Sequence, residues 1–144
     1  MKIRKGKLSD LELLLSTLNG APELNANAEG QDYTLKWVKS AISDRKRNIV
    51  LIAEESKEIA GFLFGELWED KGYSFLNDLY VFEKYRKQGV ASKLNEEYEK
   101  ICKKKGIHAA ISLVLTSNVK MQEFQAKRSY MKGKEFYFYS KKLK

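Results

Sequence analysis

A strand, a glycine turn and an amphipathic helix follow one another in the middle of the chain, and this succession limits the possible folds most. Residues 75–82 are mostly apolar, and they lead into the turn Arg86-Lys87-Gln88-Gly89-Val90-Ala91. Residues 89–105 then have helical periodicity and end at Gly106. Residues 107–115 are again apolar and β-branched, which indicates a second strand parallel to the first. The sequence therefore predicts a βαβ unit, with an anion bound where the helix begins.

The remaining segments alternate between helix and strand patterns. Strands are predicted at residues 2–5, 48–54 and 58–68, and the last two form a hairpin across a short polar turn. Helices are predicted at residues 9–18, 33–45 and 118–128, with a loop over residues 21–31. Alternating aromatic residues at 136–139 predict a final strand or hairpin within residues 130–142. The order indicates an α/β (α+β) fold, with a mixed, mostly antiparallel sheet flanked by helices.

Length and composition are typical of one soluble globular domain. The chain has 144 residues, of which 43% are hydrophobic, so we expect residues 1–144 to form a single domain. It contains one proline and one cysteine, and it has no low-complexity linker, internal repeat, signal peptide or long apolar span. A cytoplasmic protein without disulfides is expected. The single histidine and the single cysteine, His108 and Cys102, cannot form a metal cluster, so no metal is predicted.

The segment from Leu76 to Leu94 resembles the acetyl-CoA-binding segment of the GNAT N-acetyltransferase superfamily. That family's signature is a strand of the form L-x-D-L-x-V, followed by R/Q-x-x-G-x-G/A at the start of a helix. Arg86, Gly89 and Ala91 match this signature in register. The order of the predicted elements is also similar to that of the GNAT fold, in which the fourth and fifth strands splay apart around the cofactor.

The resemblance implies a set of cofactor-binding residues. The backbone amides of Lys87, Gln88, Gly89, Val90, Ala91 and Ser92 would bind the CoA pyrophosphate, and Arg86 and Lys87 would add positive charge. The strand edge at Leu79, Tyr80 and Val81 would pair with the pantetheine arm of acetyl-CoA. Asn118 matches the family asparagine that touches this arm, and the alternative is that Asn118 only caps a helix.

The catalytic positions of the family are less well matched. In the polyamine-acetylating type a glutamate precedes the aspartate of the fourth strand, but here that position is Asn77, so Asp78 is the candidate base or amine anchor. The family's catalytic tyrosine corresponds to Gln125, which cannot donate a proton as a phenol does. Three alternatives follow: another tyrosine acts, Tyr130 or Tyr80, the CoA thiolate leaves without assistance, or the catalytic efficiency is low.

The function that these patterns favour is transfer of an acetyl group from acetyl-CoA to a primary amine of a small molecule or peptide. The net charge of +8 suits a polyanionic cofactor, and it mildly disfavours a polycationic acceptor. One alternative is a CoA-binding sensor of the same fold without transfer activity. Another is a basic nucleic-acid-binding module, but no nucleic-acid-binding motif is present. No membrane partner is expected, and the sheet edges and the aromatic C-terminal strand are compatible with a homodimer.

Overall fold

The protein is organised around one five-stranded sheet. The structure is a computed structural model that describes residues 1–24 and 32–143. The strands lie in the order β1-β2-β3-β4-β5, and only the pair β4 and β5 is parallel. Their bounds are Lys2–Lys5, Asn48–Glu55, Glu58–Trp68, Tyr73–Val81 and Ala109–Ser112. This arrangement confirms the predicted mixed, mostly antiparallel sheet.

Four helices of the described residues flank the sheet, and each face has its own apolar core. The helices are α1 (Leu11–Gly20), α2 (Leu35–Ser43), α3 (Val90–Lys104) and α4 (Val119–Lys127). On one face α1 and α2 bury Leu14, Leu18 and Val38 against the sheet. On the other face α3 buries Leu94 and Tyr98, at 0% exposure, against β2, β3 and β4. Because α3 connects β4 to the parallel strand β5, the predicted βαβ unit is confirmed.

A bulge in β4 changes which face its side chains occupy. Phe64 of β3 pairs with Asp78, but the next residue, Gly65, pairs with Leu76, so Asn77 is an extra residue in β4. Before the bulge, Leu76 packs in the α3 core, and after it Leu79 packs in the same core. The bulge therefore places Asp78 on the opposite face, towards α2.

The first strand is tied to the turn before α1 by a nearly buried ion pair. Arg4 donates two hydrogen bonds of 2.9 Å to the Asp10 carboxylate, and the Lys7 amide donates a third of 2.8 Å. Burial raises the pKa of Asp10, but the bonds from Arg4 and Lys7 outweigh it and leave the pKa below its ordinary value. This acid was predicted to belong to a helix start, and it does so through a 3₁₀ turn at Leu8–Asp10.

The largest departure from the sequence prediction is at the C-terminus. Residues 130–143 contain no regular secondary structure, so the predicted final strand or hairpin is wrong for the single chain. The strand predicted at 107–115 is also shorter, at Ala109–Ser112, and pairs with β4 over its whole length. Residues 25–31 of the predicted loop lie outside the described residues. Within the described part, no helix has the length and apolar character needed to cross a membrane.

Candidate active site

The sheet splits between β4 and β5, and the split opens a cleft. The two strands pair from Tyr73 with Ala109 to Leu76 with Ser112, and the ladder stops there. Beyond this point β4 continues to Val81 with no partner strand on the β5 side among the described residues. The cleft has a volume of about 540 Å³ and is lined by residues of β4, the start of α3, residues 112–115 and α4. Leu79, Tyr80 and Val81 all line it, and their pairing with a cofactor stays a prediction.

The first turn of α3 borders this cleft, and its backbone amides have no hydrogen-bond acceptor among the described residues. Gly89 precedes the helix with φ +79°, and no side chain caps the helix. The first hydrogen bond inside the helix is the 3.1 Å bond from the Lys93 amide to the Gly89 carbonyl. No described residue accepts a hydrogen bond from the amides of residues 87–92. Such a set of amides at a helix N-terminus is suited to bind phosphate.

The three residues before Gly89 differ in where their side chains lie. Arg86 donates a 2.8 Å hydrogen bond to the Val81 carbonyl and forms a 3.1 Å ion pair with Glu23. Its guanidinium also lies over the Tyr80 ring, 5.5 Å from the centroid. Arg86 therefore fixes the end of β4, while Lys87 lines the cleft and has no ion pair with a described residue. Gln88 does not line the cleft, and its side chain donates to the Lys84 carbonyl.

Asp78 is a buried carboxylate in the wall of the cleft. Only 2% of its surface is exposed, and its Oδ2 accepts a 2.9 Å hydrogen bond from the Tyr33 hydroxyl. Tyr33 is itself held by Asn19, which exchanges two hydrogen bonds with the Tyr33 backbone. The Tyr33 ring stacks on Trp37 at 4.4 Å. The sequence reasoning did not include Tyr33, because no motif links residue 33 to a strand that lies 45 residues further along the chain.

Two residues with side-chain amides, Asn118 at the start of α4 and Gln125 within it, line the same cleft. Asn118 caps α4, since its side-chain oxygen accepts a 3.2 Å hydrogen bond from the Met121 amide, and it also lines the cleft. Gln125, further along the same helix, also lines the cleft, and 7% of its surface is exposed. No described residue donates a hydrogen bond to its buried Oε1, so this atom is a suitable acceptor for a ligand N–H. The cap predicted for Asn118 is confirmed, and its contact with a cofactor stays a prediction.

Tyr130 and Trp68 lie apart from the cleft. The Tyr130 hydroxyl faces Asn95 of α3 at 3.5 Å, and Tyr130 is not among the lining residues. Burial raises the pKa of Tyr130 to about 12. Trp68 belongs to an aromatic cluster with Tyr73 and Phe75 and also does not line the cleft. Among the described residues, no group of histidine, cysteine or acidic side chains could hold a metal ion.

A split sheet with a helix N-terminus and a buried carboxylate in one cleft has the geometry that suits an extended, phosphate-bearing ligand. The chain belongs to the acetyltransferase (GNAT) family, whose model matches residues 12–130. It is therefore an acyltransferase, and the family resemblance inferred from residues 76–94 is confirmed. No curated protein matches the sequence.

Several solved structures share this fold. The aminoglycoside 6'-N-acetyltransferase AAC(6')-IG from Acinetobacter haemolyticus is similar over 100% of both chains, with a TM-score of 0.79 and 18% identity. AAC(6')-Iy, solved with a bisubstrate analogue CoA-S-monomethyl-acetylneamine, covers 99% of this chain and 98% of its own, with a TM-score of 0.77 and 18% identity. A ribosomal-protein-alanine N-acetyltransferase from Brucella melitensis covers 89% and 83%, with a TM-score of 0.75 and 21% identity. These likenesses show the fold.

Proposed function

We propose that the protein transfers an acetyl group from acetyl-CoA to a primary amine by direct attack in a ternary complex. The observation that carries this proposal is the position of Asp78, a buried carboxylate in the wall of the same cleft that holds the amides of α3. One end of the cleft is built for phosphate, and the other offers a proton acceptor. An acyl donor with a long phosphate-bearing arm and a basic acceptor fit these two ends.

Binding of acetyl-CoA uses backbone groups in this proposal. The pyrophosphate lies on the amides of residues 87–92, and Lys87 adds the nearby positive charge. The pantetheine arm runs along Leu79, Tyr80 and Val81, where its amides replace the missing strand partner of β4. The Asn118 amide nitrogen remains available to this arm, because only the side-chain oxygen is used for the helix cap.

The reaction needs a proton acceptor and a way to stabilise sulfur. The neutral amine nitrogen attacks the thioester carbonyl, a C–N bond forms, and the C–S bond breaks to release the CoA thiolate. Asp78 takes the proton that the amine loses, directly or through one water molecule. The Gln125 side-chain amide can donate a hydrogen bond to the departing sulfur, and solvent supplies the proton that completes the thiol.

The acceptor is an amine whose class an enzyme assay can identify. Relatives of this fold act on aminoglycosides, as their names state, and on the alanine of a ribosomal protein. A thiol-release assay with acetyl-CoA should therefore compare aminoglycosides, polyamines, amino acids and peptides with a free N-terminus. We expect at least one class to accelerate thiol release. If none does while acetyl-CoA still binds, the sensor alternative replaces this proposal.

The role of Asp78 is tested with Asp78→Asn. Asparagine keeps the shape and the oxygen that accepts from Tyr33, so only the proton acceptor is lost. We expect kcat/KM for the best amine to fall at least about 100-fold, which is the lower range for loss of a general base. The Kd of acetyl-CoA, measured by calorimetry, should stay within about twofold because the proposed cofactor contacts use backbone groups that this substitution leaves in place. Full activity in this variant would remove Asp78 from the mechanism.

A further inference from the structure

Asn19 uses both ends of its side-chain amide to hold the backbone of one distant residue. Its nitrogen donates a 2.9 Å hydrogen bond to the Tyr33 carbonyl, and its oxygen accepts a 2.8 Å hydrogen bond from the Tyr33 amide. The two residues are 14 positions apart in the chain. A planar side-chain amide presents donors and an acceptor side by side, so it can pair with a backbone residue as a neighbouring strand does. Asn19 therefore fixes both the position and the direction of the chain at Tyr33.

The end of α1 is complete without the Asn19 side chain. Asn19 lies in the last turn of α1, where the Ala21 amide closes the helix by a bond to the Thr17 carbonyl. Asparagine is also a weak helix former, so helix propensity does not account for this residue. The preceding residue, Leu18, is fully buried in the core under α1 and α2. Asn19 therefore extends from a rigid part of the fold, and its amide serves Tyr33.

The residue that Asn19 holds is the one that contacts Asp78. The Tyr33 hydroxyl donates a 2.9 Å hydrogen bond to Oδ2 of this buried carboxylate. The Tyr33 ring stacks on Trp37 at 4.4 Å, and Trp37 in turn stacks on Phe64. Stacking restrains the plane of a ring but allows the ring to slide over its neighbour. Because the hydroxyl is at the far end of the ring, a small shift of the backbone at residue 33 would carry it beyond hydrogen-bond distance of Asp78.

We propose that Asn19 is a positioning residue of the acyl transfer: it holds the Tyr33 hydroxyl on Asp78 and so keeps that carboxylate oriented in the cleft. Asn19 is not among the residues that line the cleft, so it acts through Tyr33 and not on the substrates. This role rests on the proposed function, in which Asp78 takes the proton of the amine. A misplacement of about 1 Å, caused far from the reacting atoms, can cost up to about 100-fold in rate.

Thr34 provides a matched control in the same segment. Its side-chain oxygen accepts a 3.1 Å hydrogen bond from the Trp37 amide and caps α2. Thr34→Ala therefore removes a bond between side chain and backbone next to Tyr33 and leaves both Asn19 bonds in place. Thr34 does not line the cleft either. A general loss of stability would appear in both variants, whereas a loss of position would appear only in Asn19→Ala.

Two NMR measurements on the free protein test this chain of contacts without turnover. Hydrogen exchange of the Tyr33 amide should be at least about tenfold faster in Asn19→Ala and should change less than about threefold in Thr34→Ala. The carbon chemical shift of the Asp78 carboxyl reports its hydrogen bond. Asn19→Ala should move this shift in the same direction as Tyr33→Phe does. An Asp78 shift that stays at the wild-type value in Asn19→Ala would overturn the proposal.

Steady-state kinetics with the best amine from the thiol-release assay give a second readout. In Asn19→Ala we expect kcat to fall about tenfold, with the KM for acetyl-CoA unchanged within about twofold, while Thr34→Ala keeps kcat within about twofold. Adding Asn19→Ala to Tyr33→Phe should lower kcat by less than about twofold, because Tyr33→Phe has already removed the hydroxyl through which Asn19 acts. Equal losses in Asn19→Ala and Thr34→Ala, or independent losses in the double variant, would contradict this role.

A milder variant and the Asp78 variant complete the test. Asn19→Asp keeps the oxygen that accepts from the Tyr33 amide and loses only the donor, so it should lose less activity than Asn19→Ala. The reverse order would overturn the proposal. If Asp78→Asn is impaired while Asn19→Ala is fully active, only the role of Asn19 is refuted. If Asp78→Asn is itself fully active, the base of the proposed function is wrong, and the role of Asn19 falls with it.

Discussion

Gly89 offers the sharpest test of where the cofactor phosphates lie. We consider Gly89→Glu, which places a carboxylate at the start of α3. The glycine has φ +79°, and a Cβ there would meet no atom within 4 Å, so steric clash does not contribute. The cost to folding is backbone strain alone, about 1–2 kcal/mol for a non-glycine residue in this conformation. For a domain of this size we expect the Tm to fall by about 3–8 °C.

The same helix supplies a matched control at its other end. Gly106 follows α3 with φ +76°, and a Cβ there also meets no atom within 4 Å. Gly106→Glu therefore carries the same strain and the same charge, about 25 Å from the phosphate end. The two variants should lose similar stability in the absence of ligand. Any difference between them in acetyl-CoA binding then reports on the position of the residue.

The effect on binding follows from the charge. A carboxylate about 6 Å from a phosphate, at an effective dielectric constant of about 20, is repelled by about 2.8 kcal/mol. This repulsion lowers the affinity roughly 100-fold. At an acetyl-CoA concentration of about 100 times the wild-type Kd, the ligand stabilises the wild type by about 2.7 kcal/mol but stabilises Gly89→Glu by only about 0.4 kcal/mol.

Thermal unfolding with and without acetyl-CoA measures these differences directly. We expect a ligand-induced rise in Tm of about 8–10 °C for the wild type and for Gly106→Glu, and of about 1–2 °C for Gly89→Glu. A Gly89→Glu variant that retains the full rise would refute the placement of the phosphates on the α3 amides. An equal loss in Gly106→Glu would show that strain in α3, and not the charge at its start, controls binding.

Two further predictions concern Tyr33 and the Arg4 ion pair. Tyr33→Phe removes the 2.9 Å hydrogen bond to Asp78 and keeps the stacking on Trp37. Steady-state kinetics should therefore show kcat/KM reduced about tenfold. An unchanged kcat/KM would exclude a role for the Tyr33 hydroxyl. Arg4→Met leaves Asp10 buried without its partner, which should lower the free energy of unfolding by about 3 kcal/mol at pH 7. Because the folded-state pKa of Asp10 is depressed, this contribution is present above the unfolded pKa of about 3.9 and is lost as the pH falls below it. Denaturant titrations should therefore show the two proteins converging below about pH 4, and a constant gap down to pH 2 would contradict this assignment.

The sequence predicted the parts of the fold that depend on local pattern. The β3 strand, Glu58–Trp68, has the predicted bounds, and α3 differs by one residue at each end because its apolar period and flanking glycines define it locally. The prediction of a strand or hairpin within residues 130–142 was wrong for the opposite reason. The alternating aromatics of this segment have strand character, but a strand forms only where an edge is available to pair with it, and pattern alone does not reveal where that edge lies.

The candidate site was predictable where it uses the backbone and less so where it uses side chains. The amides at Gly89 and Ala91 follow from the turn sequence, since a glycine with positive φ before a helix leaves donors unpaired. Contacts between distant side chains carry no such signal. Tyr33 reaches Asp78, and Arg86 reaches Glu23 instead of remaining available for phosphate, only because tertiary packing brings these segments together.

The bulge at Asn77 means that the upstream and downstream parts of β4 are out of phase with each other. Ser74 and Leu76 are buried on the α3 side, and so is Leu79, a spacing of three where a regular strand has two. Because Asn77 is the extra residue, deleting it would restore regular alternation, with Leu76 and Leu79 on the α3 side and Asp78 between them on the opposite side. The carboxylate of Asp78 therefore keeps its place in the cleft wall whichever side chain stands at position 77.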